Sequence, residues 1–134
     1  MRREELEVDT AGRLVTDITD RVQAFAGEAG GDGLVHLFLP HATAGLGLME
    51  TGSGSEEDLA EALGRLLPRD HRYRHRHGPV GHGADHLLPV LVSPSLVLAV
   101  EGGRVVLGTW QSIVVVDPNR ENNRRRVHLR FVPG

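Results

Sequence analysis

Polar and apolar positions along the chain alternate in some stretches and recur at helical spacing in others. Glu5 to Asp9 and Arg13 to Asp17 alternate on either side of the turn residues Ala11 and Gly12, which predicts a β-hairpin. Ile18, Val22, Phe25 and Ala26 then fall on one helical face, with Thr19 as N-cap, up to a break at Gly30, Gly31 and Gly33. The apolar run from Leu34 to Leu39 predicts a buried strand that ends at Pro40. ATAGLGLMET predicts another strand, whose small residues indicate close approach by a backbone or a ligand. Ser55 is expected to cap a helix with Glu56, Glu57 and Asp58 in its first turn, where negative charge suits the helix dipole. Leu59, Ala62, Leu63 and Leu66 supply its apolar stripe, which stops at Pro68.

A histidine-rich loop follows and leads into a short helix around Ala84 to Leu91, with Pro89 in its first or second turn. From Leu96 the pattern turns to β: LVLAV, a turn at EGG, RVVLGTW, SIVVVD and RRVHLRFV predict a hairpin continued by two more strands. Helices segregated between strand-rich ends indicate an α+β domain of antiparallel sheets, with residues 1–134 as one domain. The run Ile113 to Val116 implies burial on both faces, by helices on one side and a partner subunit on the other, and hence an oligomer.

Composition narrows the chemistry. There is no cysteine, so any metal is held by nitrogen and oxygen. No apolar run reaches the roughly 20 residues of a membrane-spanning helix, and MRREELEVDT lacks the apolar core of a signal peptide, so a cytoplasmic protein with no membrane partner is expected. All 15 basic residues are arginine. The net charge of -3 argues against a general nucleic-acid partner, although Arg72 to Arg76 and Arg124 to Arg126 are local anion binders.

Five of the 8 histidines, His71, His75, His77, His82 and His86, lie in HRYRHRHGPVGHGADH. Imidazole is the commonest metal ligand, so this density points to a metal site or proton chemistry, against the plainer reading of a solvated loop. His82 and His86 are four apart and share a face if both lie on one helical turn. His75 and His77 precede them across Gly78, Gly81 and Gly83 and can supply a third ligand, with Asp85 as an oxygen ligand or an acceptor that orients an imidazole. His41 stands at the end of a buried strand, where Thr43 and Glu50 can face the same cleft; the alternative is a histidine bonded to its own turn. Trp110 is most simply core, while Gln111 beside it can read a heterocycle. Arg124 and Arg126 share one strand face and suit phosphate or diphosphate, or a solvated edge.

HATAGLGLMET, a capped helix, YRH, the histidine at 86, SPSLVLAVEGGRVVLGTWQSI and an arginine-rich last strand occur in an order that resembles the YjbQ family, secondary thiamine-phosphate synthases. The resemblance runs from about Leu34 to Val132. It implies an α+β sandwich of antiparallel sheets, a homotrimer around a threefold axis, and a histidine-lined pocket near the subunit junctions. It further implies a transferase joining a pyrimidine diphosphate to a thiazole phosphate with release of pyrophosphate, a small phosphorylated molecule being the partner. His41, His75 and His86 match the family histidines; His77 and His82 are additional. On this reading His75, His82 and His86 hold a divalent cation, zinc or magnesium. Arg124, Arg126, Thr109 and Trp110 bind substrate, and His41, Thr43, Glu50 and Gln111 act in catalysis. METGSGS replaces a family pattern like NENxDxD, so Met49, Ser53 and Ser55 stand where polar groups are usual. Two other classes fit the residues: a metal-dependent hydrolase of a phosphoester or amide, and a non-catalytic trimeric module for a metabolite or metal.

Overall fold

A computed structural model describes residues 1–134. Its strands are β1 (Arg2–Asp9), β2 (Val15–Asp17), β3 (Gly33–Phe38), β4 (Gly45–Met49), β5 (Ser95–Glu101), β6 (Arg104–Val105), β7 (Ser112–Val116) and β8 (Arg124–Pro133). Two full helices, α1 (Thr19–Ala29) and α2 (Ser55–Leu66), are joined by two single turns, α3 (His82–Asp85) and α4 (Leu88–Leu91). A five-stranded sheet, β1-β8-β3-β5-β6, packs on a three-stranded sheet, β2-β7-β4, and the strand pairs are antiparallel. The α+β domain of antiparallel sheets indicated by the pattern, and the sandwich implied by the resemblance, are therefore the fold.

Alternation decides which side chains face inward. Leu6 and Val8 of β1, Val35 and Leu37 of β3, and Val127, Leu129 and Phe131 of β8 meet Leu46, Ile113 and Val115 of the smaller sheet in one core. Ile18, Val22, Phe25 and Ala26 close one end of it, the face their helical spacing predicts. Fully burying a side chain such as Phe25 or Ile113 contributes about 1.5–3 kcal/mol each, which makes this core the main source of stability. Asp17 accepts the Thr19 N–H at 2.9 Å, and the Thr19 hydroxyl in turn accepts the Ile113 N–H at 2.8 Å, so Thr19 fastens α1 to β7 instead of capping it.

Several sequence expectations change. β1 and β2 do not form a hairpin: Ala11 and Gly12, both at positive φ, pass the chain from one sheet to the other, where β1 pairs with β8 and β2 with β7. The β5–β6 hairpin forms, but β7 leaves it for the second sheet and β8 inserts between β1 and β3. β7 is buried on both faces within one chain. Ile113 and Val115 face the five-stranded sheet, whereas Val114 and Val116 pack with Leu88, Leu59, Leu63 and Leu67 under α2 and α4, so no partner subunit is needed to explain the run. Ser55 is the first residue of α2, not its cap. The preceding Gly54 is left-handed, and the Gly52 N–H donates to the Glu56 carboxylate at 2.8 Å. At Gly45 the backbone of Val92 approaches so closely that a Cβ would collide with its carbonyl oxygen, so the small residues of β4 admit a backbone, not a ligand.

Candidate functional site: three histidines at α3

The histidine loop folds back on α3 for a local reason. Gly83 leaves its would-be Cβ space to the Tyr73 side chain, 2.7 Å away, and the His75 carbonyl, 2.8 Å away. Any larger residue at 83 would push His75 off. Tyr73 is tied down by its hydroxyl, which donates to the Pro68 carbonyl at 2.7 Å. Gly81 is left-handed at φ 96° and begins α3, so that His82 and His86 emerge one turn apart. The nitrogen atoms that His75, His82 and His86 can offer lie within 4.8 Å of one another, with His75 exposed and the other two half-buried. His82 Nε2 and His86 Nε2 are 2.9 Å apart. The His77 ring packs at 4.1 Å from His75 and 4.6 Å from His82, centroid to centroid, as an outer neighbour. His71 is exposed and takes no part.

Two of the three imidazoles are biased toward the neutral form. Burial holds His86 below its ordinary pKa, reinforced by His82, His75 and His77, and His75 is lowered by desolvation and then by His77 and His82. Neutral imidazoles are the form that ligates. Glu121 lies against His82, Oε1 to Nδ1 at 2.7 Å, and this contact holds its carboxyl below the usual range. Asp85, 1% exposed, is not a ligand: its carboxylate accepts from Arg69 on one oxygen and from Asn119 Nδ2 at 3.0 Å on the other. Burial pushes its pKa up against the opposing pull of Arg69. Neither Glu121 nor Asn119 stood out in the sequence, where the only signal is the turn-forming run DPNREN.

The remaining expected site residues are placed elsewhere. His41 accepts the Arg126 backbone N–H on Nε2 at 3.0 Å and lines a cavity of about 470 Å³ with Glu7, Asp9, Asn122, Arg124 and Arg126. Burial lowers its pKa, with Arg125 and Arg126 adding to the effect. Thr43 is buried and accepts from Arg125 Nη2 at 2.9 Å, while Arg125 also grips Asp117 through Nε at 2.7 Å and Nη2 at 3.0 Å. Thr43 is thus part of a core polar network. Glu50 is exposed and makes no hydrogen bond or ion pair. Trp110 is 73% exposed and not core; it sits with Thr109 in a surface turn closed by the Gly108 N–H donating to Gln111 Oε1 at 2.8 Å. A separate pocket of about 200 Å³ under α2, lined by Leu14, Leu63, Leu67 and Leu88, backs onto Asp85 and Arg69.

The profile of the UPF0047 protein YjbQ-like family matches residues 4–134. UPF0047 protein Rv2556c of Mycobacterium tuberculosis is 59% identical over 134 residues and covers 100% of both chains. UPF0047 protein YugU of Bacillus subtilis is 34% identical over 112 residues, covering 81% of this chain and 83% of its own. Among solved structures, a conserved hypothetical protein of Thermus thermophilus superposes with a TM-score of 0.83 at 35% identity, over 96% of this chain and 99% of that one. A hypothetical protein of Aeropyrum pernix superposes with a TM-score of 0.90 at 29% identity over 100% of both. These descriptions name no reaction, and nothing in them points to joining a pyrimidine diphosphate to a thiazole phosphate. The expected thiamine-phosphate synthase activity is withdrawn accordingly, and the geometry gives it no help, because Trp110 and Gln111 lie in a turn apart from the three histidines and His41 is bonded to β8. With the match running over nearly its whole length, the chain belongs to the UPF0047 family of YjbQ-like proteins.

Proposed function

We propose that the protein binds one divalent transition-metal ion through His75, His82 and His86, leaving a coordination position open to solvent. The observation that carries this reading is the convergence of three imidazoles from two segments, a loop and α3, with ligand atoms inside 4.8 Å. Nitrogens about 2.0–2.1 Å from a tetrahedral zinc lie about 3.4 Å apart, a spacing that small side-chain rotations reach from the present one. The all-nitrogen donor set suits zinc and its neighbours and does not suit magnesium, which demands oxygen. Three protein ligands with one side exposed is the pattern of an open site, not a closed structural one. When bound there, such an ion supplies Lewis acidity and lowers the pKa of water. Burial favours the neutral form of His75 and His86, and Glu121 lies within reach of the same region against His82.

Zinc titration of metal-free protein against a colorimetric chelator tests the reading. One ion per chain in wild type, abolished by His86→Ala, is the expected result; no stoichiometric uptake by wild type overturns it. The reading includes self-association. Leu34, Phe38, Val97 and Val132 are exposed on the outer face of the five-stranded sheet, and adjacent registers on β3, β5 and β8 bring them together. Sedimentation of wild type should give a trimer mass, and Val97→Glu should lower it.

A further inference from the structure

We propose that Glu121 is a positioning residue for the three-histidine site: held by Asn119, it fixes which nitrogen of His82 carries hydrogen and so presents the other to a metal ion. The inference rests on the metal reading above and adds to it a residue, a tautomer and a route by which a distant turn sets affinity. A carboxylate only accepts hydrogen bonds. The 2.7 Å contact between Glu121 Oε1 and His82 Nδ1 therefore places a ring hydrogen on Nδ1, which in the neutral ring leaves the lone pair on Nε2. That lone pair is where the His86 Nε2–H points, at 2.9 Å. In the metal-free site His86 thus donates to His82. An ion seated between them replaces this bond: His86 gives its Nε2 proton to solvent and takes one on Nδ1, with no net change in charge, while His82 needs no rearrangement.

The carboxylate is itself held. Glu121 Oε1 accepts a second bond from Asn119 Nδ2 at 3.2 Å. The other Asn119 amide hydrogen goes to Asp85 Oδ2 at 3.0 Å, and Asn119 Oδ1 accepts from the Glu121 and Asn122 backbone N–H groups at 3.0 and 3.2 Å. Asn119 is 4% exposed and all four of its bonding positions are filled, so its amide has one orientation. Asp85 is anchored in turn by Arg69, which precedes the histidine loop. The chain Arg69, Asp85, Asn119, Glu121, His82 joins the two segments that border the site. Glu121 keeps 38% of its side chain exposed, so removing its carboxylate leaves no buried ion unpaired and costs the fold one hydrogen bond from Asn119.

The test uses metal-free full-length protein, with zinc alone as the probe. Long-range proton–nitrogen correlation spectra should show His82 as the Nδ1–H tautomer in wild type and as a tautomer mixture in Glu121→Ala. Zinc affinity should fall about 10–100-fold in Glu121→Ala, the usual loss for an outer partner of a metal-bound imidazole, with the metal-free protein still unfolding cooperatively and only slightly earlier for the Asn119 bond it loses. Glu121→Gln, which keeps an accepting oxygen, should recover most of both readouts. Wild type that takes up no zinc overturns the metal reading together with this inference. Wild type that binds zinc while Glu121→Ala binds it equally well, or an Nε2–H tautomer of His82 in wild type, overturns the inference alone.

Discussion

The surroundings of His41 and of the His75, His82 and His86 cluster are electrostatic opposites. His41 faces arginines and has its Nε2 occupied by the backbone of Arg126, so it neither attracts a cation nor offers a lone pair to one. His82, with His75 and His86 beside it, faces a carboxylate and keeps its Nε2 toward the other imidazoles. The difference teaches that a histidine's role follows from the charge behind it and the partner already on its ring, not from its place in a motif. It also separates a structural region from the proposed binding one. The ground around His41 is the buried Arg125–Asp117–Thr43 network, which holds β8 to the segment before β4.

Breaking that network should give the largest effect. Asp117→Ala strands the Arg125 guanidinium, 3% exposed, without its partner. A loss of about 3–5 kcal/mol in urea unfolding is expected, and a loss under about 1 kcal/mol would show that the region is not structural in this sense. At the other site the pattern should invert. His82→Ala removes a ligand, so zinc affinity should fall by more than the about 100-fold ceiling for an outer partner, while metal-free unfolding shifts little. His41→Ala should leave zinc affinity at the wild-type value, and a comparable loss there would erase the contrast.

A smaller effect concerns pH. Because the folded-state pKa of His41 is lowered from the ordinary 6.5, the unfolded chain binds more protons than the native one just below that value. Stability from this group is full above pH 6.5 and is lost as pH falls toward the folded pKa. Unfolding curves of the metal-free protein between about pH 7.5 and 5.5 should therefore fall less steeply for His41→Gln than for wild type, and parallel slopes would show that His41 does not contribute. The smallest effect is Trp110→Ala, expected within about 0.5 kcal/mol of wild type in the same assay because its side chain lies in solvent.

Much of this was legible in the sequence, and the failures have a common cause. The helical spacing of Ile18, Val22, Phe25 and Ala26 predicted the face that is buried, because a helix's periodicity is local. The four-residue spacing of His82 and His86 predicted their meeting for the same reason. The alternations flanking Ala11 and Gly12 were misread as a hairpin, since alternation tells which side of a strand faces the core and not which strand lies beside it. Trp110 was expected to be core from its apolar neighbours, yet Val106 to Gln111 leave the strand and form a turn. Glu121 and Asn119 escaped notice because their partners, His82 and Asp85, lie more than thirty residues away.

The sequence by itself determined the α+β class, the inward face of α1, and the pool of imidazoles from which a site could be drawn. These follow from side-chain periodicity and composition, which need only near neighbours. The tertiary structure alone decided which strands share a sheet, that β7 is covered on both faces within one chain, that His75 joins His82 and His86 while His41 does not, and that Glu121 stands behind His82. Each of those is a meeting of residues far apart in the chain, fixed by how the two sheets and the α3 turn pack, and no local pattern encodes such a meeting.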